Sequence, residues 1–369
     1  MTRKHLVLGL SLDAAGHHPA AWRGADFNPA AVTDAATFIE QGRLAEDAKL
    51  DFLLAGYPVR SSALMGPAFS QSVQMEPLSL IAALMIPLRR IGLPAQVLMA
   101  YWEPFNTARA FAALDNLSGG RSAWLAVPAS GPDDEANFPR FAHQHITAPY
   151  ERADEYAGLV RDLWDSWEDE ALRFDKENAI FSDHTRVHRV GHKGKYFFCD
   201  GPLNAPRPPQ GHPPVLSADL SEGGIAFAAA QADLMIAREG TQAVAAALRA
   251  RLGGPLLLTD LHFVLGATDS EARQRAADFN GLAAPEAGGL FFTGTAEGLA
   301  DLMASWFASG ACDGFNLLPA VMTRDLAAFT GTVAPLLRAR NIIRADYEGQ
   351  TLRDHLGLAR PANRMKGAA

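Results

Sequence analysis

The chain has 369 residues, of which 48% are hydrophobic and 20% charged, with a formal net charge of -8. That balance excludes a disordered or fibrous chain, and an acidic excess without a dense Lys/Arg run argues against a nucleic-acid surface. Two cysteines, Cys199 and Cys312, exclude a disulfide framework, and no apolar run approaches the roughly 20 residues that span a bilayer.

The basic start Thr2-Arg3-Lys4 precedes an apolar run over residues 6–12. The run is short, so it reads as a buried first strand of a cytoplasmic protein that binds no membrane. Further strands are predicted over 52–55, 91–100, 122–127, 214–218, 234–237, 256–265 and 314–318. They are continuous apolar runs, as in strands buried on both faces of a parallel sheet. A helix over 104–117 should stop at Gly119-Gly120, where a left-handed residue ends it. A helix over 150–167 carries Ala153, Tyr156, Ala157, Val160, Leu163, Trp164 and Trp167 as one stripe. Thr268-Asp269-Ser270-Glu271 has capping-box spacing. Eight strands with intervening helices predict one (β/α)8 barrel domain over residues 1–369, with an open doubly wound sheet as the alternative. Residues 171–213 lack periodicity and end in a proline cluster, so they are expected to be an irregular insertion.

Generic motifs are scarce. No Walker loop, G-x-S-x-G elbow, H-E-x-x-H or G-x-G-x-x-G stands in the chain. His184, His188 and His192 are spaced by four, but no carboxylate or Cys pattern completes a metal site. His143 and His145 are read the same way. Cys312 reads as a small buried hydrophobe and residues 165–170 as a solvated acidic face. Gly16-His17-His18 follows the first strand, at the barrel face where active sites lie. Residues 216–224 join a strand to a helix. Ser221 suits the cap, and the same backbone N–H groups suit a phosphate, which Asp219 would repel.

Several ordered stretches resemble the bacterial luciferase-like flavin monooxygenases, in the branch of the nitrilotriacetate and dibenzothiophene-sulfone enzymes. They are Gly16-His17-His18 with Ala21-Trp22-Arg23, Glu103-Pro104-Phe105, Leu114-Asp115 with Leu117-Ser118-Gly119-Gly120-Arg121, and Tyr150-Glu151-Arg152-Ala153-Asp154-Glu155. Leu163 to Glu168, His192 to Phe197, Gly201-Pro202-Leu203, Asp313-Gly314-Phe315-Asn316-Leu317 and Tyr347-Glu348-Gly349 with Thr351-Leu352-Arg353 follow.

The resemblance implies a TIM-like barrel, reduced FMN delivered by a separate flavin reductase, molecular oxygen, a small organic substrate and a homo-oligomer, for which Trp164 and Trp167 are expected to supply apolar surface. It places Tyr150 and Ser221 on the phosphate side. Gly56 stands where the family commonly has an acid, Trp102 where it has Asn, and Asn106 where it has His. Leu125 lies in a stretch that normally carries polar flavin contacts, and Leu220 lies in the phosphate turn. Tyr150, Ser221, Leu220, Gly56 and Trp102 are thus the expected cofactor residues, and His17, Asn106 and Leu125 the expected substrate pocket; no metal is implied. The other readings are a paralogue that has lost flavin and acts as a binding or subunit protein, and a deazaflavin-dependent reductase on the same barrel.

Overall fold

The computed structural model describes residues 5–57, 73–128, 138, 148–238, 240–285 and 288–367. The eight predicted runs form β1 (Val7–Ser11), β2 (Phe52–Leu54), β3 (Leu93–Leu98), β4 (Ser122–Val127), β5 (Val215–Ser217), β6 (Leu234–Ala237), β7 (Leu256–Leu265) and β8 (Gly314–Pro319). Parallel pairing runs in the order β2, β1, β8, β7, β6, β5, β4, β3. The bridges Phe52↔Gly92 and Ala55↔Ala95 then bring β2 onto β3, so the sheet closes as a (β/α)8 barrel. A further strand, Leu290–Gly294, was not expected. It pairs with Leu261–Leu265 of β7, beyond the residues of β7 that pair with β6, and so raises the rim on that side.

The helices are α1 (Ala35–Asp47), α2 (Pro77–Leu84), α3 (Pro104–Ser118), α4 (Pro149–Asp165), α5 (Glu222–Gln231), α6 (Gln242–Leu252), α7 (Asp269–Asn280), α8 (Ala296–Ser309), α9 (Ala334–Ala339) and α10 (Leu352–His355). Among the described residues no helix is long and apolar enough to cross a membrane. Helix α3 ends as predicted, with Gly119 at φ 69°. At α7 the Thr268 side chain accepts from Glu271 N, while Glu271 reaches back to Ala267 N, one residue beyond the expected box partner.

Strand periodicity divides the core. Val7, Phe52, Leu125, Leu216, Ile236 and Leu258 share one cluster inside the barrel. The alternate residue Trp124 packs outward, with ring centroids 6.3 Å from Phe111 of α3 and 5.9 Å from Tyr156 of α4. Trp164 belongs to that outer core. It is fully buried and donates to Ala108 O at 2.9 Å, so it is not the oligomer surface expected of it. Trp167 is half-buried and donates to Leu203 O. Cys312 is buried, which pushes its thiol up to about 12, and both cysteines are free.

Residues 171–213 follow α4 and are more regular than expected. Leu172–Asp175 pairs with Ile180–Ser182, and His192–Lys193 with Phe198–Cys199, as two short antiparallel hairpins. The acidic run before them is not uniformly solvated. Asp165 is buried and held by Arg207 at 2.9 Å, His212 at 2.9 Å and Arg364 at 3.1 Å. Burial raises its pKa, but the His212 hydrogen bond and the surrounding cations pull it below the ordinary carboxylate value.

The N-terminal end of the barrel is stopped by the tail. Leu352 and Leu356 of the α10 region join Val7, Phe52 and Leu258 in the inner cluster, and Leu352 N donates to Gly120 O at 2.8 Å. Arg344 pairs with Asp51, Arg353 with Asp233, and Tyr347 Oη donates to Leu50 O at 2.6 Å.

Candidate active site

At the C-terminal mouth, Asp260 of β7 shares the inward face of Leu258 because strand side chains alternate. It is buried, and a buried carboxylate is stable only with donors around it. Tyr57, just past β2, donates to Asp260 Oδ2 at 2.6 Å, and Asn316 of β8 donates to Oδ1 at 2.7 Å. Ser11 of β1 in turn donates to Asn316 Oδ1 at 3.1 Å. Arg238, past β6, has Nε 3.7 Å from Asp260 and its guanidinium carbon 5.8 Å from the Tyr57 ring centroid. Burial, then the Asp260 charge, raises the Tyr57 pKa well above its ordinary value, so the phenol stays protonated and donates.

A cleft of about 340 Å³ opens beside this group, lined by Tyr57, Ala126, Val127, Pro128, Ala218, Asp219, Leu220 and Arg238. Its far edge is the turn into α5. Ser221 caps that helix by accepting from Gly224 N at 3.0 Å. Asp219 accepts from Ser221 N at 2.9 Å and from Tyr150 Oη at 2.6 Å, and Tyr150 lies 2.6 Å from Ser221 Oγ. Since the Tyr150 proton goes to Asp219, the Ser221 hydroxyl donates to Tyr150. Residue 223 must lack a side chain, because the Tyr150 ring lies where its Cβ would be. The two residues expected on the phosphate side therefore meet, and Leu220 joins them at the cleft. The negative group already at the helix N-terminus is the chain's own Asp219.

The other expected residues are spread out. Gly56 ends the second strand at φ 87°, and a Cβ there would lie 2.7 Å from Pro77 and 2.8 Å from Gln96, so it offers no group to the mouth. Its neighbour Tyr57 does. Leu125 is buried inside the barrel, one inward position below Val127 of the cleft wall. Trp102 is half-buried before α3, packed on the outer core. Asn106 is exposed on α3 and lines none of the described clefts. His17 is buried, 3.0 Å from Ser11 O through Nε2, and lines a second chamber of about 250 Å³ with His18, His262 and Phe291. His188 and His192 pair with different carboxylates, Glu168 at 2.9 Å and Glu155 at 3.0 Å, and no group of three metal-ligating side chains occurs among the described residues. His143 and His145 lie outside the described residues.

Tyr57, Arg238 and Asp260 were not among the expected site residues. Asp260 had a visible signal, a lone acid inside the apolar run 256–265.

The family model described as luciferase-like monooxygenase matches residues 14–328. The chain is 32% identical to N-acetyl-S-(2-succino)cysteine monooxygenase of Bacillus subtilis (strain 168), over 98% of each chain. It is 29% identical to nitrilotriacetate monooxygenase component A of Aminobacter aminovorans, again over 98% of each. An EDTA monooxygenase structure from Chelativorans sp. BNC1 superposes with a TM-score of 0.86 at 24% identity, covering 96% of this chain and 99% of that one, and shares the fold. A match that spans most of the barrel, with relatives that align end to end, makes this chain a member of the luciferase-like monooxygenase family.

Proposed function

We propose that this monooxygenase oxidises a small organic substrate with reduced FMN supplied by a separate flavin reductase. The observation that carries the reading is the mouth cleft, with Arg238 and Tyr57 at one end and the Tyr150–Ser221 turn at the other. A relative named as component A of its monooxygenase supports a divided system. Bound reduced flavin supplies the electrons and the oxygen-activating chemistry. The chain supplies the setting. Ala126, Val127, Pro128, Ala218 and Leu220 give the flat ring a dry wall, and Arg238 a positive charge. Asp260 fixes the Tyr57 phenol as a donor.

The donor set fits the ring end. At the phosphate end the helix N-terminus and the Ser221 and Tyr150 hydroxyls are suitable donors, but the Asp219 carboxylate repels a phosphate and competes for the Ser221 N–H. Fluorescence titration with oxidised FMN, and anaerobically with reduced FMN, tests this. Asp219→Gly should tighten binding. Ser221→Ala should weaken it by about 1.5–3 kcal/mol, the value of a hydrogen bond to a charged group. If neither wild type nor Asp219→Gly binds either form at millimolar concentration, FMN is the wrong cofactor for this barrel. We place the enzyme in the cytoplasm, where free Cys199 and Cys312 suit a reducing compartment, and infer a homo-oligomer from the apolar hairpin Phe174, Ile180 and Phe181, all exposed.

A further inference from the structure

The second chamber lies between the loop after β1, the upper part of β7, helix α7 and the rim strand Leu290–Gly294. One wall is flat. The rings of His262 and Phe291 stack with centroids 4.6 Å apart and planes 9° apart. Phe291 nevertheless remains 48% exposed, a large apolar ring left uncovered at the edge of a cavity. Phe263, Val264, Ala276, Pro285 and Phe292 contribute further apolar lining.

His18 presents a neutral imidazole to the chamber. Ala20 N donates to His18 Nδ1 at 3.1 Å, so this nitrogen carries no proton and Nε2 donates to Asn280 Oδ1 at 3.2 Å. Burial lowers the His18 pKa, which keeps that neutral tautomer at pH 7. Among the described residues that line the chamber there is no Lys, Arg, Asp or Glu. These described residues offer a charged ligand no opposite charge in return for its lost hydration.

The chamber adjoins the flavin cleft. Gly288 and Gly289, at φ 93° and 91°, form the seam. A Cβ on Gly289 would lie 3.1 Å from His262 and 3.3 Å from Asp260 O, and one on Gly288 would lie 3.3 Å from Arg238 Cβ. Only glycine lets the backbone pass this close to both sites.

We infer that this chamber is the substrate subsite and that it takes a neutral, planar, ring-bearing molecule, stacked on Phe291 and His262 with its edge toward His17, His18 and Asn280. The inference rests on the proposed function only for the reaction; the binding itself needs no flavin. Titration of the flavin-free protein with 2-naphthol, read by calorimetry, tests it, with nitrilotriacetate as the anionic comparison and Asp219→Gly as a variant outside the chamber. 2-Naphthol should bind, nitrilotriacetate should not, and Phe291→Ala should weaken 2-naphthol about tenfold, through lost stacking and covered area. Asp219→Gly should leave that affinity unchanged. Phe291 is exposed enough for its removal to leave folding intact, which an unaltered melting temperature verifies. The inference is overturned if nitrilotriacetate binds as tightly as 2-naphthol, if Phe291→Ala leaves 2-naphthol within twofold, or if that variant instead lowers the assembly mass, which would make Phe291 a subunit contact. Failure to bind FMN with 2-naphthol binding intact removes only the cofactor reading; the reverse removes only this one.

Discussion

Asp260 shows how one residue organises the mouth. Its oxygens accept from Tyr57 and Asn316, and Arg238 lies near enough to balance its charge. Removing the carboxylate leaves the Tyr57 phenol and the Asn316 amide buried without the acceptor they share. Asp260→Ala should therefore destabilise the protein by about 3–5 kcal/mol, the range for breaking a buried charged group from its partners. Tyr57→Phe removes one donor and should cost about 1–3 kcal/mol. Urea unfolding of both variants checks the order, and equal losses would show that Asp260 is not the hub. At this scale the sequence was partly readable. A lone acid in an apolar strand marks a site, but its partners came from β2, β6 and β8, and only closure of the barrel brings those strands together. Gly56 drew attention by its position, whereas the working side chain is Tyr57, because a Cβ at 56 has no room beside Gln96.

Elements were legible where burial is two-sided. The eight barrel strands are continuous apolar runs, and each appeared where expected within a few residues. The rim strand Leu290–Gly294 was not, because its residues alternate between half-buried and exposed and it follows Gly288-Gly289. The hairpins within 171–213 escaped notice for a related reason, since cross-strand pairing rather than a buried face holds them. The stripe on α4 was correctly periodic, yet periodicity does not say what covers a stripe, and Trp164 turned out to face α3. We infer that assembly uses the hairpin, where Phe174 and Phe181 meet edge to face at 5.1 Å between ring centroids while both stay exposed. Light scattering should give a mass above the 39.5 kDa of one chain, and Phe181→Ser should lower it. A wild-type mass of one chain at micromolar concentration would end the oligomer reading.

For the molecule as a whole, acid stability should depend on the tail. His355 is buried under Tyr347 at 4.9 Å between ring centroids, and neither ring nitrogen has a hydrogen-bond partner. Burial, then the charges of Arg344 and Arg90, lowers its pKa to about 4 from an ordinary 6.5, with Asp354 pulling weakly the other way. The unfolded chain thus takes up a proton at His355 before the folded one does. Its contribution is fully present above pH 6.5 and is lost as pH falls toward 4, by at most about 3 kcal/mol. Asp115 works oppositely. Burial raises its carboxyl to about 6, so the folded protein holds that proton longer and this group favours folding toward the acid end of the same window. His355→Leu removes its own share of the acid-side loss. Its urea midpoint should gain on wild type steadily as pH is lowered from 6.5 to 4, and a constant difference across that range would refute the assignment.

The tail stopper also bears on when the barrel can form during synthesis. Val7 and Phe52 emerge from the ribosome early, but the apolar space they line is filled by Leu352 and Leu356. The floor of the barrel therefore stays open, with its inner leucines wet, until residues 352–356 have emerged. Domains tend to fold as units, and exposed apolar surface invites association in the meantime. The last contacts at this end of the barrel therefore wait for Leu352 and Leu356, and the inner cluster lacks its cover until they arrive.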